Sequence, residues 1–268
     1  MTGSGARPPG RDGRTTLAVV ATTGEVLSQP RLHEGLLEPW ELRRLAAVRV
    51  PSRRDDVLAA RLLLRLCVAR FTGRPPDASA PAQFCAGCGR PGHGRPYLPD
   101  RPGVGVSLSH ADGLVAAAVG PGAVGVDVEP STRRPGPLSV LRRVLPEADV
   151  RAAAAEPDPG AALLRLWVRA EAVLKAGGDG LRLLEWTDPH RAAVVAVAGV
   201  APVRTFVLGP VPVDRRSRDQ GAAEPHAVVS PSSHAGGSSA ASHSSCSAVG
   251  AAASRSSTAT LVGEWTSE

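Results

Sequence analysis

From residue 214 onward the chain is rich in Ser, Ala, Gly and His and has almost no hydrophobic periodicity, so any packed core has to come from the residues before it. Residues 214–268 are expected to form a disordered tail, with 226–229 as a short strand-like exception. Residues 1–14, rich in Gly, Pro and Arg, are expected to be a flexible N-terminus. Residues 15–213 must then supply the whole fold of a 268-residue chain. Aromatic residues make up only 3%, so burial rests on Ala, Val and Leu.

Within that stretch, 15–21 reads as a first strand, and 38–48 as a helix with Leu42 and Leu45 on one face. Pro51-Ser52 punctuates, and 55–71 is a stronger helix with Leu58, Leu62, Leu66 and Ala69 in register. Residues 72–103 read as loop. Three strand-like segments follow, 104–108, 114–119 and 124–128, and their short turns suggest antiparallel pairing of neighbours. An Arg/Pro/Gly connection leads to helices over 138–145, 147–155 and 161–176, the last stopped by Gly177-Gly178. Strands are expected over 181–186, 192–198 and 203–208. Each half is thus helices plus a small sheet, an α+β chain of two similar layers.

The N-terminus has no apolar signal core, and no run approaches the ~18 apolar residues of a membrane-spanning helix. Of four cysteines, only Cys85 and Cys88 are close. Cys67 lies in an apolar helical stretch and Cys246 in the tail, so no disulfide framework is present and a reducing cytoplasm is expected. The net charge of +6 comes from arginine and attracts anionic partners. There is no concentrated basic block or aromatic-interleaved stripe, so neither nucleic acid nor a membrane is expected as a partner.

One of the 31 basic residues is lysine. Lys175 closes the run Trp167-Val-Arg-Ala-Glu171-Ala-Val-Leu-Lys175. Glu171 and Lys175 are i, i+4 on a helix and share a face. Unlike arginine, lysine is a compact charge that can release a proton. Asp127 and Glu129, in Val124-Gly-Val-Asp-Val-Glu129, are i, i+2 on a strand and point the same way. Two such acids repel unless solvated or sharing a hard cation such as Mg²⁺. Upstream, Ser107-Leu-Ser109-His110 is expected to end a strand in a turn whose hydroxyl, imidazole and free N–H groups suit a phosphate.

These three motifs, in this order, resemble those of the 4′-phosphopantetheinyl transferases, most of all the surfactin-synthetase-activating type. Gly177-Gly-Asp-Gly-Leu181 resembles that family's Gly-x-Gly-Leu, and Cys85-x-x-Cys88-Gly89 with His93-Gly94-Arg95-Pro96 resembles the segment upstream of its Ser-His motif. The resemblance spans 15–210. It implies a pseudo-twofold α+β fold of two similar subdomains, 15–123 and 124–213, with coenzyme A and Mg²⁺ in the cleft between them. The implied enzyme, a holo-[acyl-carrier-protein] synthase, moves phosphopantetheine from coenzyme A to a serine of an acyl or peptidyl carrier protein. Adenosine 3′,5′-bisphosphate is released. Carrier domains of fatty-acid, polyketide or nonribosomal-peptide synthases, as in secondary metabolite biosynthesis, are the implied partners of a cytoplasmic monomer.

By the same resemblance, Asp127 and Glu171 hold Mg²⁺, and Glu129 ligates it directly or through water. Glu171, or a metal-bound water, accepts the serine proton, and Lys175 pairs with phosphate and protonates the leaving group. Ser109 and His110 bind phosphates, Arg95 matches the basic residue of the family's Gly-Lys/Arg-Pro step and belongs to the coenzyme-binding set, and either Arg53 or Arg54 meets the 3′-phosphate or adenine. Two features depart from the family pattern: Ala170 replaces a lysine before the helix glutamate, and the tail lacks closing strands, which leaves a sheet edge unpaired. Ala170 favours a second reading, a catalytically weak transferase-like protein that docks carriers. A third is a zinc-stabilised nucleic-acid module built on Cys85, Cys88 and His93, one ligand short of a usual structural site. His226, His234 and His243 are too widely spaced for a metal motif.

Overall fold

The computed structural model describes residues 15–209 except 79, 86, 178 and 179. The expectations for 1–14, for 214–268 with its strand, histidines and Cys246, and for Gly178-Asp179 lie outside the described residues.

The chain begins with strand β1 (Thr16–Thr22), the short helix α1 (Thr23–Leu27), a 3₁₀ turn (Glu34–Leu36) and helix α2 (Pro39–Ala46). The long helix α3 (Pro51–Thr72) starts a turn earlier than 55–71, because Pro51 occupies its first turn rather than ending the preceding one. Gly73, at φ +70°, closes it. Strands β2 (Ala82–Cys85), β3 (Arg90–Pro91) and β4 (Arg95–Tyr97) lie where loop was expected, too short to show a period. Then come β5 (Val104–Ala111), β6 (Leu114–Pro121), β7 (Val124–Pro130), α4 (Leu138–Val144), α5 (Glu147–Ala154), α6 (Pro159–Ala176), β8 (Arg182–Asp188), β9 (Ala193–Gly199) and β10 (Val203–Thr205).

Two sheets form, one of seven strands in the order β10-β1-β6-β5-β4-β2-β3 and one of three in the order β7-β9-β8. The pairing of 104–108 with 114–119 holds, but 124–128 does not join them. After Gly122 the chain crosses into the second sheet, where β7 pairs with β9. Both faces of β6 and β7 are buried, so alternation alone could not identify their partners. β10 runs parallel to β1, so the last described strand of the second half completes the sheet of the first. β8 forms one edge of the second sheet among the described residues.

Period-2 alternation sorts the core into layers. Leu17, Val19, Ala21, Val115, Ala117 and Val119 face α3. Ala18, Val20, Ala116 and Ala118 face the other way and meet Val126, Val128, Val195 and Val197 of the second sheet. The far side of β9, Val194, Ala196 and Ala198, packs on α6 through Val168, Ala172 and Ala176. The order is helix, sheet, sheet, helix. Small Ala and Val side chains let the two sheets approach. Behind α3, buried Glu41 on α2 accepts hydrogen bonds from Arg61 (2.7 Å) and Arg65, tying the two helices together.

Candidate active site at the seam of the two sheets

β7 turns Val124, Val126 and Val128 toward the first sheet, so Gly125, Asp127 and Glu129 face α6. Gly125 is required there. A Cβ at this position would lie 1.9 Å from the Ala172 carbonyl oxygen and 2.4 Å from the Ala176 nitrogen. The last turns of α6 rest directly on β7, and this carries Lys175 to Asp127.

Along the seam, β5 meets β7 through side chains. Ser107 Oγ accepts the Val126 N–H at 3.0 Å, and Ser109 Oγ donates to Asp127 Oδ1 at 2.8 Å. Lys175 Nζ donates to that same oxygen at 2.6 Å and to Ser109 Oγ at 3.0 Å. The ion pair of Lys175 is therefore with Asp127, 48 residues away, rather than with Glu171 on its own helix. Residues from all three sequence motifs converge on one carboxylate that is only 4% exposed.

The electrostatics follow from burying several acids together. Glu129 Oε2 accepts a hydrogen bond from Arg133 at 2.8 Å, yet burial, followed by repulsion from Asp127, pushes its carboxyl up to about 7. The Glu171 carboxyl is raised for the same two reasons, partly offset by Lys175. Asp127 Oδ2 is buried without a hydrogen-bond partner. Among the described residues, the one trio of Cys, His, Asp or Glu whose ligand atoms all lie within 4.8 Å of one another is Cys85, Cys88 and His93. Asp127, Glu129 and Glu171 are thus not drawn together into one preformed ligand set, and Lys175 supplies the positive charge on Asp127. The donor chemistry nonetheless fits a hard divalent cation: one orphaned buried carboxylate oxygen and two carboxyls held toward their neutral forms by burial and by the charge of Asp127.

The Ser-His motif lies within β5 rather than in a turn after it: Ser109 is opposite Ala116 and His110 opposite Val115. The turn comes two residues later at Asp112-Gly113, both at positive φ. Burial pulls the His110 imidazole below its ordinary range. Asp56 acts against this, while Lys175, Arg53 and Arg61 add to it. Asp56 is itself buried and accepts hydrogen bonds from Thr23 Oγ1 and the Gly113 N–H, so it ties the start of α3 to the β5–β6 turn. Arg54 is held by both carboxylate oxygens of Glu34, at 3.0 and 2.9 Å. Arg53, next to it, bears on His110. Arg95 donates to the Ala176 carbonyl at 3.1 Å and the Leu174 carbonyl at 3.5 Å, so its guanidinium caps the C-terminus of α6. Ala170 packs in the α4–α5–α6 cluster, and Arg169 pairs with Glu185 of β8.

Four residues of this arrangement escaped sequence reasoning. Ser107 has a signal, since it alternates with Ser109 on one strand face. Gly125 has one too, as a glycine inside a strand marks close backbone approach. Asp56 and Arg133 have none, because their partners are set by tertiary contacts.

No curated protein sequence matches the chain. Residues 123–229 match the family model of the 4′-phosphopantetheinyl transferase superfamily, a segment that includes Asp127, Glu129, Glu171 and Lys175 and excludes Ser109, His110 and Arg95. Over that segment the chain is similar to a superfamily of transferases that use coenzyme A and act on carrier proteins.

Proposed function

We propose that this chain is a phosphopantetheinyl transferase of the surfactin-synthetase-activating type. It moves the 4′-phosphopantetheine group of coenzyme A to a serine hydroxyl of an acyl or peptidyl carrier protein and releases adenosine 3′,5′-bisphosphate. The observation that carries this reading is the convergence of Ser109, Asp127 and Lys175, from three separated motifs, on one buried carboxylate oxygen. A pseudo-twofold relation of the halves is supported by their shared plan. Each runs strand, long helix, hairpin, and each orders those strands first, third, second: β1-β6-β5 and β7-β9-β8.

Asp127, Glu171 and Glu129 are the residues that would hold Mg²⁺, which when bound neutralises pyrophosphate charge. Glu171 takes the proton from the incoming serine Oγ. The serine oxygen forms a bond to the phosphorus that bears pantetheine, and the bond from that phosphorus to the bridging oxygen breaks. Lys175 pairs with the phosphates and gives its proton to the departing one. Neutral His110, and Ser109 once its hydroxyl turns from Asp127, donate to phosphate oxygens, and Arg53 is the better placed of the two arginines for the 3′-phosphate, since Arg54 is spent on Glu34. Arg95 acts by fixing the end of α6 that carries Lys175. Non-catalytic carrier docking is less favoured, since Ala170 belongs to the α4–α5–α6 packing.

The test is to incubate the chain with coenzyme A, Mg²⁺ and several apo-carrier proteins and weigh the intact carriers. A mass gain of one phosphopantetheine, absent with chelator, is expected. Unchanged carriers with a folded chain would overturn the reading.

A further inference from the structure

The trio Cys85, Cys88 and His93 belongs to none of the chemistry above. All three come from one short segment around the β2–β3 turn and the start of β4. Their ligand atoms lie within 4.8 Å of one another, with Cys88 Sγ 3.1 Å from His93 Nε2. Tetrahedral zinc, with Zn–S near 2.3 Å and Zn–N near 2.0 Å, needs ligand-to-ligand separations of about 3.5–3.8 Å, so side-chain rotation has to open the Cys88–His93 pair slightly and draw any wider pair in.

The backbone is shaped around the sulfurs. Gly89, at φ +67°, returns its N–H to the Cys85 carbonyl at 2.8 Å, which makes the turn tight enough to bring Cys88 beside Cys85. Gly94, at φ +89°, lets the strand after His93 cross close to Phe84. A Cβ there would lie 2.4 Å from the Phe84 oxygen. A left-handed glycine just after the second cysteine makes this tight turn possible.

We propose that Cys85, Cys88 and His93 bind a zinc ion as two thiolates and one imidazole, with the fourth position left to water or an added ligand. Thiolate and imidazole donors select zinc over the hard cation suited to Asp127, so the two sites do not compete. The site has a structural purpose. Strands β2, β3 and β4 have little core of their own: Phe84 is 48% and Tyr97 44% exposed, and one residue pair, Tyr97 with Gly105, joins β4 to β5. A metal supplies the cross-link that so small a sheet lacks. Arg95 pairs with Phe84 across this sheet and caps α6, so zinc would also steady the helix end that carries Lys175.

The test uses the full chain, purified with reductant, and does not depend on the proposed transferase activity. Metal analysis is expected to find about one zinc per chain. Co²⁺ added after chelation should give thiolate charge-transfer absorption and tetrahedral visible bands. Cys88→Ser and His93→Gln should each lose most of both signals, while Cys246→Ser keeps them. Hydrogen exchange on zinc removal should speed up in residues 82–97 and at the end of α6, with β9 unchanged. A wild-type chain with reduced thiols that keeps no zinc and gives no cobalt bands overturns the site, as do undiminished bands in both ligand variants. Exchange that does not respond to zinc overturns the cross-linking role.

Discussion

At the scale of the residue, Asp127 organises its neighbours by charge. It fixes Lys175, and it repels Glu129 and Glu171. Glu129 titrates near 7 in the fold against an ordinary value of 4.5, so between those pH values the folded chain binds more protons than the unfolded one. Stability from this group is full below about 4.5 and is lost as pH rises through 7, by up to about 3 kcal/mol. His110, lowered by burial, acts with the opposite slope on its own account. Glu129→Gln removes the first effect alone. In chelator, its melting temperature is expected to match wild type near pH 4.5 and to exceed it increasingly toward pH 8. A difference that does not change with pH would show that Glu129 titrates normally. Lys175 offers the second test. Lys175→Arg keeps the helix and the positive charge, but the broad guanidinium does not fit the narrow space between Ser109 and Asp127 and cannot give up a proton. Circular dichroism should be unchanged and turnover on apo-carrier should fall about 10²–10⁴-fold; wild-type kcat and coenzyme A affinity would remove the lysine from the chemistry. Lys175, Asp127 and Ser109 were legible as one candidate group through the resemblance that their three motifs carry together, since each spacing alone is common. That they share one oxygen was not, because i, i+4 logic assigned the lysine to Glu171.

At the scale of the element, the stop of α6 at Gly177 was readable, the start of α3 at Pro51 was misplaced by a turn, and strand partners were not readable. Gly177 acts through φ, a property written in the residue itself, whereas Pro51 suits both a break and a first helical turn. Strand pairing depends on which neighbour covers each face. β6 and β7 are apolar on both faces, so the crossing at Gly122 left no trace in the pattern. α6 lies directly on β7 at Gly125. Backbone stands on both sides of that contact, so Gly125→Ala cannot be absorbed by a side-chain rotation. It should cost about 1–3 kcal/mol of stability and displace Lys175 from Asp127. Thermal melting and turnover should therefore fall together, and a variant with wild-type values of both would show that the contact is loose.

At the scale of the whole molecule, the +6 charge is spread as arginine rather than gathered in one block. A carrier protein with an acidic surface should therefore be drawn in at long range, and its KM is expected to rise about tenfold from low salt to 0.5 M while kcat changes little. A KM that does not respond to salt would mean that docking is apolar. The α+β class was legible from the count of periodic segments, but the stacking of two sheets between helices was not. Ala and Val on both faces of a strand fit either a helix or a second sheet. The return of β10 to β1 was also hidden, since its three paired residues are too few to show a period. That return carries a cost in time. During synthesis, Thr16 leaves the ribosome about 10–40 s before Val203 at the usual 5–20 residues per second. Throughout that interval the outer edge of β1, running through Leu17 and Ala18, has no partner of its own chain and is open to pairing with a neighbouring nascent chain.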